Sequence, residues 1–200
     1  HQAGKSITSG IGNTAIGYQA LDAEDDGDYN TAIGYQALSA QTGVSGEVGN
    51  TAVGYQAGLA VTTGTQNTLM GYHAGKAVLG GSTNTIIGSE AGKALNSGGA
   101  NTIVGRHSAY ALTTGDDNVA IGQFALYTGT TQSDNVAIGT SALQNIRGED
   151  SVAVGYQTGQ YATGSYNTFL GSQAGYGGTT SAPFSSGINN TALGYQALKE

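Results

Sequence analysis

Asn13-Thr14-Ala15-Ile16-Gly17-Tyr18-Gln19-Ala20-Leu21 is the stretch that decides the fold, because the chain repeats it. It returns almost unchanged at residues 30–38 and 190–198. Weaker copies begin at Asn50, Asn67, Asn84, Asn101, Asn118, Asn135, Ser151 and Asn167, which gives eleven copies in 200 residues. Most steps between copies are 17 residues, and the others range from 16 to 23. A constant core with variable connections is typical of a repeat protein.

Three positions of the repeat carry a structural prediction. A glycine closes the first five residues of every copy, as in Gly17, Gly34 and Gly54, and this regularity predicts a positive φ or a closely packed backbone. The residue before it is always aliphatic or Met, and we expect it to form a buried column. Asn favours left-handed backbone and bonds to local backbone groups, so we expect the opening asparagines to form a hydrogen-bonded ladder. The ladder positions are Asn13, Asn30, Asn50, Asn67, Asn84, Asn101, Asn118 and Asn135.

The alternation in Thr14-Ala15-Ile16-Gly17 has the period of a strand, whereas a helix needs roughly 12 residues to be stable. We expect a strand or a bend at residues 18–21. A unit this short must stack on its neighbours, which predicts an all-β parallel β-roll or β-solenoid of about eleven rungs. At ~4.8 Å per rung, the rod is roughly 50 Å long.

We treat residues 1–200 as one repetitive domain with an insertion at 175–187, and expect it to be a piece of a longer fibre. A single-chain three-sided helix of hexapeptides is the second alternative.

Composition limits the function. The chain has six Lys and Arg, a net charge of −7 and no Cys. Nucleic-acid backbones and anionic lipids need clustered positive charge, so we predict no nucleic-acid partner. The sequence has no run of about 18 apolar residues, so we predict no membrane insertion. The absence of Cys excludes disulfides and thiolate metal sites.

A side-by-side homotrimer is the expected assembly. The face formed by Ala15 and Gly17 is small and apolar, which suits close packing against a neighbouring chain. Two-stranded structures are marginal alone, and homo-oligomers normally close by symmetry. We therefore expect three chains to pack through this face.

The copies of Asn-Thr-Ala-Ile-Gly-Tyr-Gln-Ala-Leu, together with Ser151-Val152-Ala153-Val154-Gly155, resemble two related groups of proteins. One is the head of trimeric autotransporter adhesins, and the other is the repetitive shaft or tip of bacteriophage-type tail fibres. The resemblance implies a left-handed parallel β-roll, three chains side by side and a role in surface attachment. Adhesin heads have rungs of about 14 residues, whereas most rungs here have 17.

Two segments are candidate binding sites. Asp22, Glu24, Asp26 and Asp28 resemble the first half of a calcium loop, but the twelfth position is Ile33 instead of the required Glu. Calcium is therefore a weak candidate cofactor, and solvated charge on a loop is the favoured interpretation. The insertion carries the only Pro, and Tyr176, Pro183 and Phe184 are the candidate ligand contacts.

Aromatic and histidine side chains recur at fixed positions of the repeat. Tyr18, Tyr35, Tyr55 and Tyr72 are expected to stack and stabilise the roll, with sugar binding as the alternative. His73 and His107 occupy the Gln19 position of different rungs, and we expect no carboxylate fixed beside both.

We predict no catalytic residues, no enzyme activity and no cofactor. The expected function is a structural and attachment module of a trimeric fibre, on a virion tail fibre or an extracellular surface, which recognises a glycan or protein on a target cell. The alternatives are a β-solenoid polysaccharide depolymerase and an ice-binding solenoid. The depolymerase requires two converging carboxylates. The ice-binding solenoid would use the Thr14 column, which is interrupted at Val119, Val136 and Val152.

Overall fold

The computed structural model describes residues 2–42, 44–177 and 186–199, and over these ranges the protein is an all-β parallel β-solenoid without a helix. The strands are β1 Thr14–Ile16, β2 Gly27–Asp28, β3 Thr31–Ile33, β4 Gly46–Glu47, β5 Thr51–Val53, β6 Thr68–Met70, β7 Thr85–Ile87, β8 Thr102–Val104, β9 Val119–Ile121, β10 Val136–Ile138, β11 Val152–Val154, β12 Thr168–Leu170 and β13 Thr191–Leu193.

One long sheet contains eleven of these strands in chain order, and β2 and β4 form a separate pair. All pairs are parallel and in register, so that Thr14 pairs with Thr31 and Ile86 with Ile103. We number the rungs 1 to 11 by the strands of the long sheet. The segment after each closing glycine is a turn, which agrees with the expected bend. Because each rung adds one strand to the long sheet, the described residues do not match the three-sided hexapeptide alternative.

The prediction of the buried column was wrong. The middle residue of each strand points into the coil, and Leu69, Ile86 and Ile103 are fully buried there. The residue before the glycine points outward, and Ile16 is 58% exposed. The Ala15 column therefore belongs to the core of its own chain and is not available for packing between chains. Alternation along a strand separates two faces, but it does not say which face lies inside.

Large and small side chains compensate for one another in the core. The turn position six residues after the strand centre holds Leu38 beside Ala32, but Gly75 beside Leu69. A Cβ added at Gly75 would lie 2.8 Å from Leu69 Cδ2, and one at Gly175 would lie 2.5 Å from Phe169 Cδ1. In these rungs the interior thus has room for one bulky side chain of the pair, as expected for a densely packed core.

The closing glycines have the predicted positive φ and close backbone packing, and the opening asparagines form the predicted hydrogen-bonded ladder. The closing glycines have φ between 117° and 138°, and a Cβ on Gly88 would lie 2.6 Å from the carbonyl oxygen of Gly105. The asparagine Oδ1 accepts the backbone N–H of the next copy, as between Asn67 and Asn84 at 3.0 Å. The left-handed backbone lies one residue before the asparagine, for example at Thr83, and not at the asparagine itself.

A third core column is apolar in the middle of the rod and polar at its start. It holds Val78, Leu95 and Leu112, whereas the first two rungs place Glu24 and Gln41 there. Glu24 is fully buried, and its Oε2 accepts a hydrogen bond of 2.6 Å from the Gln41 amide. Its Oε1 accepts the backbone N–H of Gly27 at 2.8 Å. The salt bridges found among the described residues do not include Glu24.

Candidate functional site

Two ladders run along the outside of the turns in the first rungs. The rings of Tyr18, Tyr35, Tyr55 and Tyr72 stack with centroids 5.2 to 5.5 Å apart, which confirms the predicted stacking. Next to them, the Gln36 amide donates to Gln19 at 2.9 Å and the Gln56 amide donates to Gln36 at 2.8 Å. Since each tyrosine face inside the stack is covered by the next ring, the stack presents ring edges and hydroxyls to solvent. This geometry favours the stabilising role over sugar binding along the stack.

Both ladders change in rungs 4 to 7. The tyrosine position continues as Ser89, Arg106 and Gln123, and the glutamine position continues as His73, Glu90, His107 and Phe124. Since these residues occupy equivalent places on successive rungs, their side chains are neighbours. The charged corner, as we name this cluster, consists of His73, Lys76, Glu90, Lys93, Arg106 and His107.

Glu90 lies between the two histidines, so the expectation of no shared carboxylate was wrong. His107 Nε2 is 3.2 Å from Glu90 Oε2, and His73 Nδ1 is 3.6 Å from Glu90 Oε1. Lys93 Nζ also donates to Glu90 Oε1 at 2.9 Å. The sequence contains the signal, because Glu90 is 17 residues from each histidine, the same step as between stacked copies.

Burial and neighbouring charge set the ionisation of the charged corner. The hydrogen bond from Lys93 lowers the pKa of the Glu90 carboxyl, and the hydrogen bond to Glu90 raises the pKa of Lys93. Burial lowers the pKa of His73, and the positive charge of Lys76 lowers it further. The carboxylate of Glu90 is therefore ionised, and His73 favours its neutral form.

Aromatic rings border the charged corner. Lys93 Nζ lies 5.3 Å from the centroid of the Tyr110 ring, and the Arg106 guanidinium lies 5.9 Å from that of Phe124. Tyr110 stacks on Tyr127 with centroids 5.4 Å apart. The corner therefore combines cations, a carboxylate and aromatic surface within four successive rungs.

The acidic loop differs from the predicted calcium arrangement. The carboxylates that converge are those of Glu24, Asp25 and Asp26, with one oxygen of each within 4.8 Å of the others. Among the described residues this is the one such group of three His, Cys, Asp or Glu side chains. A hydrogen bond with Asp25 raises the pKa of Asp26. Asp28 instead accepts the backbone N–H of Ile11 at 2.7 Å, and Asp22 is not part of the group.

The predicted ligand contacts near the insertion are only partly described. Pro183 and Phe184 lie outside the described residues. The Tyr176 ring packs edge-on against Tyr161 at 5.3 Å, and burial raises its pKa. A cavity of about 320 Å³ nearby is lined by Phe169, Gly175, Gly177, Ser186, Gly187, Asn190 and Leu198, none of which is titratable.

No family model, curated protein sequence or solved structure matches the chain. The described residues include no helix that is long and apolar enough to cross a membrane. The strands and their parallel register define the class of the chain as a parallel β-solenoid repeat protein.

Proposed function

We propose that this chain is a structural and attachment module of a fibre in which three copies lie side by side and display their turns to a cell-surface target. The supporting observation is the outward face of the long sheet. Its strands point Thr or Val and then Ile, Val, Met or Leu toward solvent, without a charged residue. Exposed side chains on this face include Ile16, Ile33, Met70, Ile121, Leu170 and Leu193.

The size of this face supports self-association. Eleven strands at ~4.8 Å spacing and three residues of ~3.3 Å each give a strip of about 500 Å². This is at the upper end of the largest apolar patch that a typical monomer exposes, about 300–600 Å². A second copy offers the same length and rung spacing, so two strips can remain in contact along the whole rod.

The oligomeric mass tests this proposal. Light scattering coupled to size exclusion should give three times the chain mass of 19.9 kDa. Met70→Glu combined with Ile121→Glu should give monomers, because both side chains are exposed on the outward face and paired chains would bury the new charges. Leu79→Glu is the matched control, since Leu79 is 41% exposed but lies on a turn. A monomeric wild type, or dissociation by Leu79→Glu as well, would contradict the proposal.

The outward threonines favour ice binding as a second candidate function. Thr51, Thr68, Thr85 and Thr102 are aligned in register on the same face. A freezing-hysteresis measurement tests this candidate, and the fibre proposal predicts no hysteresis. The depolymerase alternative is tested by incubating capsule or lipopolysaccharide with the chain and assaying released oligosaccharide.

A further inference from the structure

Because the chain repeats one unit, the exterior residues of each rung can be compared with the consensus of the other rungs. Outside rungs 5 to 8, the two exterior columns of the turns hold Tyr or Ser in one and, apart from His73, Gln in the other. These consensus residues satisfy one another, as in the hydrogen bond from Gln173 to Gln157 at 2.9 Å. Within the charged corner, His73, Glu90, Arg106 and His107 depart from this consensus, whereas Lys76 and Lys93 lie outside these two columns. Departures from a local rule within a consistent scaffold are expected at functional sites.

Positive charge is concentrated at the charged corner. The chain has six Lys and Arg, and three of them, Lys76, Lys93 and Arg106, lie in rungs 4 to 6. Lys93 is paired with Glu90. Among the described residues, no salt bridge is found for Lys76 or Arg106. Within the described part of the chain, these two cations therefore have no carboxylate partner that would compete with an external anion.

The densest group of acidic residues in the chain lies away from this site. The acidic loop lies about three rungs away, a distance of roughly 14 Å along the rod at ~4.8 Å per rung. The screening length at physiological ionic strength is about 8 Å. A ligand at the corner is thus largely screened from the charge of the acidic loop.

The tyrosine stack also ends at this place. Tyr72 stacks on Tyr55 with centroids 5.5 Å apart and also contacts the His73 ring at 3.9 Å, and Ser89 occupies the next position of the tyrosine column. Tyr72 is 50% exposed. An exposed aromatic ring within two rungs of these cations suits a ligand that has both a sugar ring and an acidic group.

We propose that the charged corner binds an acidic polysaccharide, with Lys76 and Arg106 contacting its carboxylate or sulfate groups and Tyr72 supporting a sugar ring. This inference deepens the proposed attachment function, because it names the class of target. Arg and Lys form charge-assisted hydrogen bonds with such groups, and these are the stronger hydrogen bonds in proteins.

Binding of the full chain to a polyuronate, a sulfated dextran and neutral dextran tests the proposal by interferometry. Wild type should bind one or both acidic polymers and not neutral dextran, and the two acidic polymers distinguish carboxylate from sulfate. Lys76→Gln with Arg106→Gln should weaken binding by at least about tenfold, the loss expected for one or two charged hydrogen bonds. Lys5→Gln with Lys199→Gln changes the net charge equally at exposed distant sites and should leave affinity within about twofold.

A third variant tests the role of the neighbouring carboxylate. Glu90→Gln removes the negative charge beside the free cations and should strengthen binding by about threefold, a modest effect typical of exposed charges. No binding to either acidic polymer, equal losses in the two double variants, or preference for anionic lipid vesicles over polysaccharide would overturn the inference. The mass of every sample is measured in the same buffer. A trimer that binds no polymer overturns this inference alone, and a monomer that binds overturns the trimer alone.

Discussion

The first two rungs and the middle rungs of the rod place their polar departures from the repeat on opposite sides of the coil. At the start of the rod, the outside is regular, with stacked tyrosines and bonded glutamines, and the inside contains the polar pair Glu24 and Gln41. In rungs 4 to 6 the inside is apolar, with Leu69 and Ile86, and the outside carries the charged corner. A rung can therefore hold polar side chains either inside the coil or in place of the outside ladders, provided that the other side keeps the regular repeat.

The largest expected effect is in the apolar core of the middle rungs. Leu69→Ala removes a fully buried side chain and should lower the free energy of unfolding by about 2–5 kcal/mol. Adding Gly58→Leu should recover part of this loss, because the nearest atom to a Cβ at Gly58 is Leu69 Cδ1 at 2.6 Å, while the 3.0 Å approach to Leu38 Cδ2 remains. Leu38 already adopts a φ of 50° at the equivalent position, close to the 58° of Gly58.

Urea unfolding of the wild type, both single variants and the double variant measures this coupling. Gly58→Leu alone should destabilise the protein by overpacking. If the double variant loses as much unfolding free energy as both single variants together, a larger side chain at one of these two positions does not compensate for a smaller one at the other.

The next effect is in the polar core of the first rungs. Glu24→Val removes the acceptor of the Gln41 amide and of the buried Gly27 N–H, and should cost about 1–3 kcal/mol. Glu24→Val combined with Gln41→Val restores an apolar pair like Val78 and Leu95, so the double variant should lose less than the sum of the two single losses. A thermal-unfolding double-mutant cycle tests this expectation. Strict additivity would show that the two buried polar groups do not act as a pair.

A smaller effect on stability is expected for the tyrosine stack on the outside of the rod. Tyr35→Ala removes a ring that is stacked on both sides and should cost about 0.5–1.5 kcal/mol beyond the lost burial. Ser89→Tyr should extend the stack beyond Tyr72 and raise the melting temperature slightly. Tyr29→Ala is the control, since Tyr29 is 51% exposed and no ring contact is found for it among the described residues. Equal losses of stability in Tyr35→Ala and Tyr29→Ala would show that the stacking of the rings does not stabilise the protein.

The smallest effect is the pH dependence of the charged corner. Since the folded-state pKa of His73 is below its ordinary value, its contribution to stability is complete above pH 6.5 and declines as the pH falls through that value. The folded-state pKa of Glu90 is also lowered, so its stabilisation is present above the ordinary value of 4.5 and is lost at lower pH. Melting temperatures measured from pH 7.5 to 4 should therefore fall with acidification.

His73→Gln restores the consensus residue of the glutamine ladder and serves as the matched variant for this pH profile. It should remove the part of the decline that begins near pH 6.5 and leave the part that belongs to Glu90. A profile unchanged by this substitution would assign the decline near pH 6.5 to other groups.

Much of the fold follows from the repeat, but the candidate site does so only in part. The spacing of copies predicted the eleven strands, the asparagine contacts and the tyrosine stack, because stacked rungs bring equivalent positions together. The same spacing places Glu90 between His73 and His107, although the residue types themselves gave no reason to compare them. The burial of Glu24 could not be predicted, because a carboxylate on an acidic loop is usually solvated.

The sequence by itself determined the period, the strand positions and the parallel stacking, since a fixed step with one strand per copy leaves few other ways to satisfy the backbone. Only the tertiary structure decided which face of each strand lies inside. The same inward column holds side chains as different in size as Ala32 and Ile86, so side-chain size does not decide which face is buried. The path of the backbone around the coil decides it, and this path leaves the Ile33 column outside. That choice, which alternation alone cannot make, creates the apolar outward face on which the proposed assembly rests.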